Sequence, residues 1–234
     1  MVPSTRTRDV GRVPDPRSPS ETMSAAPEDR PTGRARTLRL PRGARRRQLL
    51  EAATGVFVDT GYHAAGMDAV ALAAGVSKPV LYQHFDSKHE LFVSVLGLQV
   101  DRLLARLDAA LASTTDNRGR VRAAITSIYE YAEHDPAGFR LVFQTEAGED
   151  AGVRAEIDRA ASGCTDAVHD LVRGDSGLDE HRSRLLAVGL VGAARVSAGH
   201  WLDAGRPIPL EDAADTTITL CWGGLAGVPR ARTA

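Results

Sequence analysis

The stretch Ala74-Gly75-Val76-Ser77 lies between two short apolar-periodic runs, and this punctuation constrains the fold more than any other part of the chain. Val70, Ala71 and Ala74 fall on one face of a helix, which Gly75 can end by taking the left-handed conformation open to glycine. Ser77 is then the expected N-cap of a second helix, its hydroxyl accepting from a backbone N–H of the first turn, with Val76 and Leu81 closing a hydrophobic staple. Pro79 falls in that first turn, where its missing donor costs little. At about 100° per residue, Ser77, Leu81 and Phe85 share a ridge expected to pack inward, while Lys78 with Tyr82 and Pro79 with Gln83 form two ridges facing out. Two short helices around a tight turn make a helix-turn-helix.

Helical periodicity continues on both sides. Leu49, Leu50, Ala53, Val56 and Phe57 predict a first helix from about Gly43 to Thr60, with Gly61 as its C′ residue. Ser87 and Glu90 stand at capping-box spacing and open a long helix to about Ser113, carrying Leu91, Val95, Leu103, Leu107 and Leu111. Further helices are expected at about 118–134, 136–145 with Asp135 as cap, 150–173 ending at Gly174, 179–204 and 210–225. Gly205, Pro207 and Pro209 break the chain between the last two. Alternating β-branched and aromatic residues are scarce, and a hydrophobic content of 43% with 25% charge suits a chain with a sizeable core. The expected fold is all-α: an N-terminal three-helix helix-turn-helix head joined by a long helix to a larger helical body. The run from Leu185 to Leu202 contains Arg195 and His200, so it is read as a buried helix and not as a membrane span.

The segment from Val70 through Leu91, VALAAGVSKPVLYQHFDSKHEL, resembles the DNA-binding signature of TetR-type bacterial transcriptional regulators, including Leu81, Tyr82, His84, Phe85, Lys88 and Leu91 in that family's order. The likeness runs from about Ala44 to Leu98, and only a general helical character agrees beyond it. On this reading the outward ridges enter a major groove ~12 Å wide, where Lys78 donates to guanine and Gln83 pairs with adenine or a phosphate. Pro79 and Val80 offer apolar contact to a thymine methyl. Ser77 belongs to the same candidate DNA-binding set. The resemblance implies that Tyr82, His84 and Lys88 contact phosphates and so set register without reading sequence. Where the family usually carries Thr or Ser near the start of the first short helix, this chain has Gly66 and Met67.

Charge divides unevenly. Residues 1–47 hold twelve arginines against five acids, a balance of +7, and the remainder holds 17 basic against 25 acidic residues, −8. Seven of those arginines, Arg45 and Arg46 among them, fall between Arg34 and Arg47 with no acid between. They lie immediately before the first helix, within reach of DNA phosphates or an adjacent minor groove. The expected organisation is a disordered basic arm at 1–40, the DNA-binding head at 41–88, a ligand-binding and dimerisation body at 89–228 and a tail at 229–234. Residues 1–33 lack an apolar stretch long enough for a signal peptide or a membrane span, which predicts a cytoplasmic protein, and Met23 is an alternative start.

The resemblance further implies a homodimer through the helices near 179–204 and 210–225, a double-stranded operator with two-fold symmetry, and an unidentified small-molecule effector that releases a repressor from it. Tyr129, Tyr131, Phe139, Phe143, His169 and Trp201 are candidate pocket residues, each also a candidate for plain core packing. Arg195 and His200 are expected at the dimer interface or pocket wall. Cys164 and Cys221 are too few and too far apart for a zinc site, so no metal or cofactor is expected, and both read as packed thiols. No G-x-S-x-G, H-E-x-x-H, P-loop or G-x-G-x-x-G occurs, so no catalytic residues are assigned and the chain is not expected to be an enzyme. The rival reading is a helical interaction module that binds nucleic acid through its basic arm without sequence preference.

Overall fold

The computed structural model describes residues 41–146, 149–176 and 178–224. The arm at 1–40 and the tail at 229–234 lie outside them. Among the described residues the chain is helical throughout, in the order α1 (Arg42–Ala64), α2 (Met67–Ala73), α3 (Lys78–Tyr82), α4 (Lys88–Ala112), α5 (Asn117–His134), α6 (Pro136–Gln144), α7 (Ala151–Ser176), α8 (Glu180–Asp203) and α9 (Leu210–Gly223).

Short polar side chains start most of these helices by accepting amides the first turn cannot otherwise satisfy. Ser87 Oγ accepts from the Glu90 amide at 3.0 Å, and Glu90 Oε2 accepts from the Asp86 amide at 2.6 Å, a capping box displaced by one residue. Asp116, Asp135 and Asp179 cap α5, α6 and α8 in the same way at 2.7, 2.7 and 3.0 Å. α1 bends at Gly61, whose φ of 75° ends the regular helix where the sequence expects it to end. α7 is longer than the sequence suggests and runs through Gly174. One glycine costs a helix only about 1 kcal/mol, which is not enough by itself to end one.

Two hydrophobic clusters divide the molecule. The head cluster gathers Leu49, Ala53 and Phe57 of α1, Val70 of α2, Leu81 and Phe85 at α3, and Leu91, Phe92, Val95 and Leu96 from the first half of α4. Leu141 of α6 and Val153 of α7 complete it from the body side. The body cluster starts at Val100 and takes in Leu103 and Leu107 of α4 with Tyr129, Tyr131, Phe139, Ala194, Trp201 and Ile218. Each fully buried Leu or Phe contributes about 1.5–3 kcal/mol of apolar burial. Gln99 sits between the clusters, fully buried, its Oε1 accepting from the Tyr131 hydroxyl and its Nε2 donating to Thr54 Oγ1, both at 3.4 Å.

α8 corrects the expectation of a buried helix. Ala187, Ala194, Ala198, Trp201 and Leu202 pack inward, but Leu185 is 74% exposed, Val196 62% and Val188 50%. The helix is apolar on two faces, and only one of them is covered within the chain. By length and hydropathy it also passes as a candidate membrane span, yet its inner face packs against α5, α7 and α9.

Candidate nucleic-acid interface and body cavity

The turn between α2 and α3 is fixed by backbone geometry. Gly75, at φ 65°, donates to the Leu72 carbonyl at 3.0 Å, and the following Val76 amide reaches back to Ala71 at 2.9 Å. This pair of bonds is a Schellman motif, and it needs a residue that tolerates positive φ. Ser77 adopts extended N-cap dihedrals, but its hydroxyl makes no capping bond. Pro79 occupies the second helical position and has no N–H to offer, and the next amide, Val80, donates to the Ser77 carbonyl at 2.9 Å. Ser77 is also exposed, not packed on the inner ridge. α3 has only five residues; past Tyr82 the chain tightens, with His84 donating to Leu81 three residues back.

Leu81 and Phe85 are fully buried and anchor this segment from behind. Lys78, Pro79, Tyr82 and Gln83 are exposed on the other side, and Val80 is half-buried. Lys78 is held by Asp68 of α2 at 2.9 Å, a pairing the sequence reading missed, and the hydrogen bond to that carboxylate raises its pKa above the ordinary lysine value. The ammonium is therefore positioned before any DNA arrives.

The positive groups of α1 divide by direction. Arg45 donates to Gln48 Oε1 at 2.8 Å, and Gln48 Nε2 donates to the Ala74 carbonyl at 3.1 Å, tying α1 to the turn. Arg46 lies 4.3 Å over the Phe85 ring and donates to Ser94 of α4 at 3.1 Å, with its Nη1 buried. It braces α3 against α4 and does not project outward as expected. His84 is half-buried beside these arginines, and burial first, then Arg42, Arg46 and Arg45, lowers its pKa below the ordinary histidine value.

Lys88 departs most from expectation. Its Nζ donates to the carbonyls of Tyr62, His63 and Ala65 at 2.9, 3.2 and 3.1 Å and lies 4.7 Å over the Tyr62 ring. An ammonium has three donors, and here all three close the chain end of α1, where orphan carbonyls gather negative potential. Without DNA, the Lys88 ammonium thus helps to hold the end of α1 against α4. Met67 is buried at the start of α2, and Gly66 offers no capping side chain there.

In the body, a cavity of about 310 Å³ lies among the far ends of α4, α5, α7, α8 and α9. Leu107, Ile125, Ile128, Val168, Leu190 and Ala194 line it, with both thiols, Cys164 and Cys221. Burial pushes Cys164 up to about 12 and raises Cys221 as well, as for inert wall groups. None of the six expected pocket residues lines this cavity. Tyr129 shares a 2.8 Å hydrogen bond with Thr217, Tyr131 is held on Gln99, His169 pairs with Ser183 at 3.0 Å, and Trp201 Nε1 donates to the Ile208 carbonyl at 2.9 Å. Their polar ends are spent on the protein itself. Phe139 and Phe143 meet edge to face at 4.9 Å and border a shallow surface depression with Arg195 and His200. Most of the cavity's wall is aliphatic and gives no chemical signature in sequence.

A three-helix head presenting a short polar helix, joined by one long helix to a body with an apolar hollow, defines a two-part helix-turn-helix protein. Residues 49–95 match the family model described as bacterial regulatory proteins, tetR family. The chain is 50% identical over 214 residues to the HTH-type transcriptional activator FasR of Mycolicibacterium smegmatis, covering 91% of this chain and 98% of that protein. A TetR-like transcriptional regulator from Rhodococcus sp. RHA1 superimposes with a TM-score of 0.67 at 29% identity, over 81% of this chain and 100% of the other. FadR from Bacillus subtilis, solved in complex with stearoyl-CoA, shares the fold at a TM-score of 0.67 and 17% identity, over 76% and 98% of the two chains. The chain belongs to the TetR family of bacterial transcriptional regulators.

Proposed function

We propose that this regulator works as a homodimer that binds a two-fold-related operator and activates transcription under the control of an acyl ligand held in the body cavity. The observation that carries the ligand reading is the cavity, an aliphatic hollow of about 310 Å³, at the lower end of the ~300–1,000 Å³ of small-molecule sites. Such a wall favours a chain of methylenes over a polar metabolite. That B. subtilis FadR is described with stearoyl-CoA is consistent with the fold accommodating a long chain. Activation, in place of the repression expected from the sequence, rests on the name of the relative aligned over nearly the whole chain.

Dimerisation is supported by the uncovered apolar face of α8, Leu185, Val188 and Val196, with Leu220 and Trp222 exposed on α9. Two heads on such a dimer reach half-sites about 34–36 Å apart, or a multiple. Lys78, Pro79, Tyr82 and Gln83 form the reading edge and Arg45 and His84 flank it; Ser77 and Val80 border it. As a DNA-bound regulator the protein acts in the cytoplasm. A ligand changes operator occupancy only by preferring one arrangement of the heads, with typical couplings of about 1–3 kcal/mol.

The test is a template carrying an operator selected from random DNA, transcribed in vitro with and without palmitoyl-CoA. Transcript output that rises with protein and changes with palmitoyl-CoA supports the proposal. Output that falls with protein rejects activation. Less than ~10³-fold preference over random duplex rejects specific recognition and favours the unspecific module.

A further inference from the structure

Arg42, Arg45 and Arg46 stand at i, i+3 and i+4 on α1, so one face of its first turns carries three guanidinium groups. Their field reaches the end of the reading segment, because after burial it is Arg42, Arg46 and Arg45 that lower the His84 pKa. Among the described residues no carboxylate pairs with any of the three. Like charges gathered without a counter-charge repel one another, and a bound anion relieves that repulsion. Arg46 is turned inward onto Phe85 and Ser94, and Arg42 is exposed. Arg45 differs from both in being half-buried and held by one polar side chain, Gln48. The Gln48 amide is used at both ends: Oε1 accepts from Arg45 Nη1 at 2.8 Å, and Nε2 donates to the Ala74 carbonyl at 3.1 Å. Ala74 is the C-cap of α2, one residue before Gly75 turns the chain toward α3. Arg45 is therefore fixed relative to the turn that launches the reading helix and not to α1 alone.

From this chain of contacts we infer that Gln48 is a positioning residue for DNA binding, which aims Arg45 at one backbone phosphate beside the reading helix and ties that contact to the α2–α3 turn. This rests on the DNA-binding reading above and adds the phosphate as the ligand of Arg45 and Gln48 as the residue that acts through it. The physical reasons are two. With Nη1 held by Gln48, the Nε–Nη2 edge of the guanidinium has no partner among the described residues. That edge presents two parallel donors of the kind that match two oxygens of a phosphate. An arginine also has many rotamers, and ordering it at the moment of binding weakens affinity. Gln48 orders it in the folded protein beforehand. A phosphate contact carries no sequence information, so losing its positioning residue weakens binding to every duplex alike.

The full-length protein, Gln48→Met, Arg45→Met and the double variant, each first checked by circular dichroism and thermal melting, are titrated by fluorescence anisotropy against a labelled random duplex and a selected operator over a series of salt concentrations. Arg45→Met should weaken both duplexes about tenfold and make the slope of log affinity against log salt shallower by about 0.9 per head. Gln48→Met should weaken both about threefold or more. The double variant should bind no more weakly than Arg45→Met alone, because Gln48 then has nothing left to aim. Losses that multiply in the double variant overturn the inference, since Gln48 then acts without Arg45. Parental affinity in Gln48→Met overturns it as well, and an unchanged salt slope in Arg45→Met removes the phosphate and the inference with it. The random duplex keeps this test separate from operator reading. A parent that binds both duplexes equally rejects specific recognition, yet non-additivity on the random duplex still supports the action of Gln48 through Arg45.

Discussion

Replacing Lys88 by Met separates the two roles available to that residue. The methionine keeps most of the apolar stem against Tyr62 and removes the ammonium, with its three bonds to the carbonyls of Tyr62, His63 and Ala65 at 2.9–3.2 Å. A hydrogen bond to a charged group is worth about 1.5–3 kcal/mol net when both partners are buried. Here the side chain is only half-buried and water can reach some of the freed carbonyls, so the sum is cut to about 2–3 kcal/mol, with the lost cation–π contact inside that range. Urea unfolding followed by circular dichroism should show the midpoint fall with little change in slope. Operator affinity should drop equally for matched and mismatched sites, because α1 and α4 no longer hold α3 in register. The dependence of log affinity on log salt should stay parallel to that of the parent. A phosphate contact predicts the reverse: unchanged stability and a salt slope shallower by about 0.9 per head. That second result would refute the assignment of Lys88 to the scaffold.

Lys78→Ala should relax discrimination at one base pair of each half-site by roughly tenfold, read by competition with single-substitution operators. Asp68→Asn, which removes the carboxylate held on Lys78 at 2.9 Å, should raise affinity for all duplexes and steepen the salt slope. Gly138→Ala places a methyl 2.5 Å from Gln99 Oε1 and 2.7 Å from the Tyr131 hydroxyl; calorimetry should show a loss of about 1–3 kcal/mol, as in other overpacked interiors. His84, whose folded pKa lies below the ordinary value of 6.5, binds a proton more readily in the unfolded chain. Stability should therefore fall as pH drops through the range just below 6.5, and His84→Gln should flatten that part of the profile.

The helices were legible because their ends are written in residues whose effect is local. Asp135 caps the helix expected of it, Asp179 caps the helix expected to begin there, and Gly61 and Gly75 break the chain where their φ values require. The two-sided character of α3 was legible for the same reason: Leu81 and Phe85 follow a spacing that only one face can bury. What escaped the sequence depends on distant partners. Lys88 carries the same charge whether it meets a phosphate or the end of α1, and only the return of Tyr62 to its side decides between them. Arg46 is turned inward by Phe85 and Ser94, neither of which is near it in sequence. The aromatic residues of the body looked like pocket groups because their chemistry suits one, but the polar end of each tyrosine and of Trp201 finds a protein partner. The hollow is bounded mostly by Leu, Val, Ile and Ala, which are what any core contains.

The long helix α4 supplies one wall to both cores, with Leu96 and the partly buried Leu98 the last of its residues on the head side, Val100 the first on the body side and Gln99 at the seam. A graft of this head onto another body, cut where the reading motif ends at Lys88, would leave Phe57 and Leu81 without Leu91, Phe92 and Val95 to cover them. The transplantable unit therefore extends about three further turns, and a chimera with operator specificity from one parent and ligand response from another should be joined between Leu98 and Gln99.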